Sequence, residues 1–189
     1  MISERAAPWD LLLRDLLGQG SLTCDLSDLS SAVGVLPSVF CWRSNGEPFL
    51  GPAHTVTAPD GDLDAVYQGI HMAEAGSVLV VATGETERAI WGETTTREAL
   101  HRGVAGVVID GACRDVRAVR ASGLSVVGRG VSPKRAERTG RGVMGNALSL
   151  QGVTIHPGDL LVSDENGTAI VPGSQVAHLI QTLVSETRR

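Results

Sequence analysis

Hydrophobic positions along this chain follow two regimes. Between residues 78 and 128 they gather into compact apolar stretches, Val78-Leu-Val-Val-Ala82, Val104 to Ile109 and Leu124 to Gly128. Stretches that are continuous rather than alternating, and rich in β-branched residues, predict strands buried on both faces. Between them lie a helix from Glu93 to His101, stopped by Gly103, and a helix from Val116 to Ser122, stopped by Gly123. Connections of this length in a β-α-β-α-β order predict parallel pairing. After the middle strand a tight Gly111-Ala112 turn is expected to present Arg114 and Asp115 where the next helix begins.

The flanking regions are more broken. Pro8 followed by Trp9 to Leu17, with Gly18 behind, predicts a short helix, and a second helical piece is expected over Thr23 to Asp28. From Val33 to Pro52 the turn formers Gly34, Pro37, Asn45-Gly46, Pro48 and Gly51-Pro52 dominate, and His54 to Thr57 alternates as a strand leading out. Asp60-Gly-Asp-Leu-Asp64 caps a helix through Val66 and Ile70 to about Ala73, while residues 83–90 read as loop. Beyond residue 143, short strands over Met144 to Leu150, Val153 to Ile155, Leu160 to Ser163 and Thr168 to Val171 predict a second, mostly antiparallel β layer. Asn166-Gly167 predicts a type I′ hairpin, which needs positive φ at both central residues. A last helix, Ser174 to about Glu186, carries Val176, Leu179, Ile180, Leu183 and Val184 on one face. The whole, residues 1–189, reads as a single α/β domain.

Composition narrows the function classes. With 42% hydrophobic but 3% aromatic residues, the core has to be built from aliphatic side chains. Lys plus Arg number 16 against 21 Asp plus Glu, a net charge of −5, and no long basic block occurs; nucleic-acid binding, which needs a clustered positive face, is not expected. Cys24, Cys41 and Cys113 are odd in number and in no metal-binding spacing, so neither a disulfide framework nor a zinc knuckle is expected. A reducing cytoplasm fits best. The first residues mix both charges, and no apolar run approaches the ~18 residues that span a bilayer. A soluble, unexported protein with no membrane association is the expectation.

Ligands of open α/β sheets sit beyond the carboxyl ends of the strands, where helix N-termini offer unpaired N–H groups and a favourable dipole. Two such ends occur here: Trp91-Gly-Glu-Thr-Thr95 and Arg114-Asp115. If their strands are parallel neighbours, both open onto one crevice. Amides of Gly92 to Thr95, with Arg114, would cradle a carboxylate, and Asp115 would give an oxygen to Mg²⁺ or Mn²⁺. Such a site suits carbon–carbon cleavage beside a 2-oxo acid, because the electrons of the broken bond must rest on an oxygen. The competing reading makes Asp115 only the cap of the helix from Val116 and Arg114 only a surface cation. Other motifs are weaker. Val80-Val-Ala-Thr-Gly84 lacks the GxGxxG spacing of a nucleotide site, and the histidines at 54, 71, 101, 156 and 178 show neither HxxxH nor HxH. Cys113 lacks an identifiable base, and Asp159 and Asp164 read as solvated turn residues.

Taken together, Trp91-Gly92-Glu93, Gly103 to Val116, Gly128-Arg-Gly-Val-Ser-Pro133 and His156-Pro-Gly-Asp-Leu-Leu-Val-Ser-Asp-Glu-Asn-Gly-Thr-Ala-Ile-Val-Pro172 resemble the family of the regulator of ribonuclease activity A, which also holds the 4-hydroxy-4-methyl-2-oxoglutarate aldolases. Gly51-Pro-Ala-His-Thr-Val56 and Gly76-Ser-Val-Leu-Val-Val81 extend the resemblance over nearly the whole chain. It implies a β/β/α swivelling-domain fold, assembled as a homotrimer or a hexamer with the site between subunits. It implies that Arg114 binds substrate, Asp115 contacts the divalent metal, and Gly92, Glu93, Thr94 and Thr95 hold a pyruvoyl carboxylate, with Glu93 at a place where an acid orients metal-bound water. The implied activity is a metal-dependent lyase: retro-aldol cleavage of a 2-oxo dicarboxylic acid, or decarboxylation of oxaloacetate. The chain departs from the pattern at Ala118, where an acid is usual, and at Thr94-Thr95, which replace an apolar pair; Glu186 is the remaining candidate for an acid lent to a neighbouring subunit. These departures leave room for the alternative implied by the same resemblance, a non-catalytic regulator that binds a protein partner.

Overall fold

A computed structural model describes residues 10–84 and 87–187. The elements run α1 (Asp10–Gly18), α2 (Leu22–Leu29), β1 (Gly34–Val35), β2 (Cys41–Trp42), β3 (Phe49–Thr57), α3 (Leu63–Met72), β4 (Val78–Ala82), β5 (Ala89–Trp91) and α4 (Glu93–Arg102). They continue with β6 (Gly106–Cys113), α5 (Val116–Ala121), β7 (Val126–Val131), β8 (Val143–Met144), β9 (Leu148–Leu150), β10 (Val153–Ile155), β11 (Leu160–Asp164), β12 (Gly167–Val171) and, after a 3₁₀ turn, α6 (Val176–Thr187). The expected helix start at Pro8 and Trp9 lies outside the described residues.

The three continuous apolar runs become β4, β6 and β7, which with β3 form the parallel centre β3-β4-β6-β7. Of the short strands expected to form a second layer, β11 and β12 form the far half of the same sheet, whose order is β1-β12-β11-β3-β4-β6-β7-β2, while β8 pairs with β3 and β9 with β10 makes a separate two-stranded hairpin. Strand β3 joins the halves: Phe49 to Pro52 pair antiparallel with β11, and Ala53 to Thr57 pair parallel with β4. Curling of this mixed sheet explains why so many strands lack a polar face. On one side α3, α4 and α5 lay Val66, Ile70, Ala99 and Val119 against Leu79, Val81, Val107 and Ile109. Around the other half α1, α2 and α6 pack Leu13, Leu22, Leu26, Leu179 and Ile180 on Leu50, Val162 and Ala169. Inside the curl, Val78, Val80, Val108 and Val127 meet Leu161, Ile170 and the β9–β10 hairpin through Leu148, Leu150 and Ile155. Burying each Val, Leu or Ile among these is worth about 1.5–3 kcal/mol.

Two turn expectations are corrected. Gly111-Ala112 is not a turn but lies inside β6, all of whose residues are buried. The register of β6 against β7 shifts between Ile109 and Ala112, the mark of a β-bulge, and the Thr83 hydroxyl donates there to the Asp110 carbonyl. A Cβ at Gly111 would lie 3.1 Å from Thr83 Cγ2, a tight approach that a larger residue could make only if Thr83 gave way. The β11–β12 hairpin turns on Glu165-Asn166, neither at positive φ, with Asn166 N–H donating 2.9 Å to Asp164 Oδ1. Positive φ at both turn residues occurs instead in the β9–β10 hairpin, at Gln151 (49°) and Gly152 (89°).

Asp159 and Asp164 are buried rather than solvated, because each carboxylate satisfies amides from elsewhere in the chain. Asp159 accepts from His156 and Gly173, and Asp164 accepts from the backbone N–H and hydroxyl of Thr23. Among the described residues no helix is long and apolar enough to cross a membrane.

Candidate active site

Strand β5, read from the sequence as loop, places the site. Its three residues pair parallel with the end of β6, Trp91 facing Cys113, and the Arg114 N–H donates 2.8 Å to the Trp91 carbonyl. The starts of α4 and α5 are thereby held side by side. The Trp91 indole is buried and donates 2.8 Å to the Thr96 hydroxyl, which itself donates to the Gly92 carbonyl, so the first turn of α4 is locked to the strand before it.

Asp115 takes the left-handed conformation (φ 51°, ψ 38°), and its side chain does not cap α5. It turns across the crevice, where Oδ2 accepts from the Glu93 N–H at 3.3 Å and Oδ1 lies 3.4 Å from Arg114 Nε. The helix-cap reading of Asp115 is therefore set aside: the carboxylate serves the start of α4, not its own helix. Arg114 and Asp115 side chains are 37% and 40% exposed, so their mutual attraction is screened and weak, and both remain open to a ligand. Gly92 permits the approach. Its φ of −169° suits any residue, but a Cβ there would sit 2.6 Å from Asp115 Oδ2 and 2.9 Å from Arg114 Cγ.

The amide cradle expected of Gly92 to Thr95 is half spent internally. Gly92 N–H goes to the Thr95 hydroxyl at 2.9 Å and Glu93 N–H to Asp115, which leaves the first-turn N–H groups of Thr94 and Thr95 for an anion. The Glu93 side chain is exposed and does not line the cleft; what it brings to the site is its amide. The cleft holds about 210 Å³ and is lined by Gly92, Thr94, Thr95, Arg114 and Asp115 together with Leu63, Tyr67, Ala89, Ile90 and Arg135.

Leu63, Tyr67 and Arg135 were not anticipated. Leu63 and Tyr67 stand one turn apart on α3, and Arg135 comes from the segment after β7, which the sequence left unassigned. Ala89 stitches that segment to β5, donating to the Lys134 carbonyl and accepting from Ala136 N–H. Asp62 anchors its far end. Burial pushes this carboxyl up, but amides of Thr139, Arg141, Gly142 and Gly140 outweigh that and hold it at about 2.

Cys113 is no nucleophile here: burial pushes its thiol up to about 12, against a pull downward from Arg43. Among the described residues no three His, Cys, Asp or Glu side chains cluster as a metal site. A donor set of one open carboxylate still suits Mg²⁺ or Mn²⁺, which accept oxygen ligands and keep several waters, and it suits no transition metal that depends on histidine or thiolate.

Residues 23–170 match the RraA-like, or Aldolase/RraA, family model. The chain belongs to that family. This RraA-like chain is 33% identical over 151 residues to the 4-hydroxy-4-methyl-2-oxoglutarate aldolase of Thermus thermophilus, covering 79% of this chain and 92% of the relative. A Halalkalibacterium halodurans relative that carries the same aldolase name provisionally is 36% identical over 160 residues, 84% of this chain and 76% of its own. Among solved structures, Streptomyces coelicolor RraAS2, described as an unusual member of the RNase ES inhibitor RraA family, superposes with a TM-score of 0.78 at 27% identity over 98% of this chain and 96% of that one. The relatives thus include both proteins named as enzymes and proteins described as ribonuclease inhibitors.

Proposed function

We propose that this protein is a divalent-metal-dependent lyase that cleaves the bond between C3 and C4 of a 2-oxo dicarboxylic acid, by retro-aldol cleavage or by decarboxylation of oxaloacetate. The observation that carries the proposal is the Asp115 carboxylate, turned away from its own helix into the cleft beside Arg114 and the free amides of Thr94 and Thr95. The aldolase names of relatives above 30% identity support the same reaction class.

In this reading Arg114 and the Thr94 and Thr95 amides grip the carboxylate next to the 2-oxo group, a charge-assisted contact that fixes the plane of the substrate. Asp115 would hold Mg²⁺ or Mn²⁺, its carboxylate steadied at the α4 N-terminus by the Glu93 amide. When bound, the cation supplies a Lewis acid for the 2-oxo oxygen. As the C3–C4 bond breaks, its electron pair passes toward that oxygen; the leaving fragment departs as CO₂ or, once its C4 hydroxyl has given its proton to solvent, as a 2-oxo acid, and C3 takes a proton from solvent to give pyruvate. Arg114 stays beside the growing negative charge throughout, so its contribution increases toward the transition state.

Purified protein assayed with oxaloacetate and with 4-hydroxy-4-methyl-2-oxoglutarate, with and without Mn²⁺, tests the proposal; turnover of neither above the rate of metal alone refutes it. A second reading, a protein-binding regulator, is favoured by Ala118, which stands half-buried one turn into α5 where an acid is usual, and by the inhibitor description of the Streptomyces relative. Capture of an endoribonuclease by a chain lacking both Arg114 and Asp115 would support it. A homotrimer or hexamer is part of the proposal, and its support is the 60% exposed Val131, which borders a hollow shared with Val116, Pro133 and the Arg114-Asp115 pair.

A further inference from the structure

The segment after β7 carries three arginines, at 135, 138 and 141, and the structure treats them differently. Arg138 pairs with Asp64 at 3.1 Å and lies 4.9 Å over the Tyr67 ring, and Arg141 pairs with Asp60 at 2.8 Å. Arg135 makes no ion pair among the described residues, and it is the one that lines the cleft. Its backbone is nevertheless fixed: the carbonyl accepts from Arg88 Nη1 at 3.0 Å, residues 134 and 136 are bonded to Ala89, and Leu63 N–H donates 2.8 Å to the Glu137 carbonyl. Asp62 clamps residues 139–142 behind it. A segment held at this many points, with its one uncommitted guanidinium at a cleft that already contains a second guanidinium, is built for a ligand with two anionic ends. Two guanidiniums lining one cleft repel each other unless an anion lies between them.

We infer that Arg135 binds the distal carboxylate of the substrate, the one remote from the 2-oxo group, and so selects dicarboxylates over monocarboxylates at this site. The inference rests on the lyase reading for the identity of the ligand, but not for its test. Arg114 and the α4 amides take the carboxylate at C1, Arg135 takes the other end by a charge-assisted contact, and Tyr67 and Leu63 line the same cleft.

The test is calorimetric titration, in Mg²⁺ buffer, of 2-oxoglutarate, a dicarboxylate that this chemistry does not decarboxylate, and of 2-oxobutyrate, a monocarboxylate. The wild-type chain should bind 2-oxoglutarate about tenfold or more tightly than 2-oxobutyrate, as one charge-assisted contact provides. Arg135→Met should bring the two within about twofold, and Arg135→Lys should recover part of the gap. A dicarboxylate preference that survives in Arg135→Met overturns the inference, as does a wild-type chain that binds both ligands equally or neither. A preference that disappears in Arg135→Met, in a chain that turns over no 2-oxo acid, upholds the assignment of Arg135 and refutes only the lyase reading.

Discussion

Replacing Gly92 by alanine perturbs the site without removing any of its chemical groups. The new methyl would stand 2.6 Å from Asp115 Oδ2 and 2.9 Å from Arg114 Cγ, whereas ordinary contact begins at 3.4 Å. The carboxylate must therefore retreat by roughly 0.8 Å, a displacement of the size that costs up to about 100-fold in rate when it separates positioned groups. We expect kcat/KM for oxaloacetate to fall by about 10- to 100-fold, or about 1.4–2.7 kcal/mol of transition-state stabilisation. Stability should change little. Gly92 has an ordinary extended φ, so alanine adds no backbone strain, and the groups it pushes are side chains exposed by more than a third. The assay is decarboxylation of oxaloacetate across a Mn²⁺ titration, with thermal unfolding of the same sample as the control for folding. A Gly92→Ala chain with wild-type kcat/KM and wild-type metal dependence would refute the claim that the closeness of Gly92, Arg114 and Asp115 matters to the chemistry.

Asp115→Ala should abolish any response of turnover to added Mn²⁺, and Arg114→Ala should raise KM and lower kcat together, both read by steady-state kinetics. Asp62, 1% exposed and with its pKa lowered from 3.8 to about 2, contributes about 2.5 kcal/mol that is fully present above pH ~4 and is lost as pH falls toward 2. Asp62→Asn should thus be less stable than wild type by about 2 kcal/mol at neutral pH in urea titrations, with the gap closing between pH 4 and 2. Iodoacetamide should label the exposed Cys24 and Cys41 but leave the buried Cys113 untouched, as peptide mass mapping would show. Light scattering after size exclusion should return three or six times the 19.7 kDa chain mass, and Val131→Asp should lower it.

The burial pattern was legible because apolar runs are a local property. Val78 to Ala82 and Val104 to Ile109 could be placed in the sheet centre, and Val176, Leu179, Ile180 and Leu183 on the inner face of the last helix, since spacing alone dictates which side chains must leave water. An aspartate cap located the start of α3 and a glycine stop the end of α4 for the same reason. The pair Arg114-Asp115 could be named as well, because two adjacent charges at the end of a buried strand stand out against the apolar run before them. Its partners could not.

What tertiary structure alone decided was orientation and company. Residues Ala89 to Trp91 are too few to signal a strand, yet they pair with the extended end of β6 and set Gly92 beside Asp115. The bulge at Asp110-Gly111 looked like a turn, because glycine permits both and only pairing with β7 distinguishes them. Whether Asp115 capped its own helix or faced the neighbouring one depended on a single left-handed residue. Arg135 reached the cleft through hydrogen bonds to Ala89 and amides gathered by Asp62, groups more than 40 residues distant in the chain. Local spacing governs burial, but the meeting of two helix starts and a remote arginine is a property of sheet pairing, which no local pattern encodes.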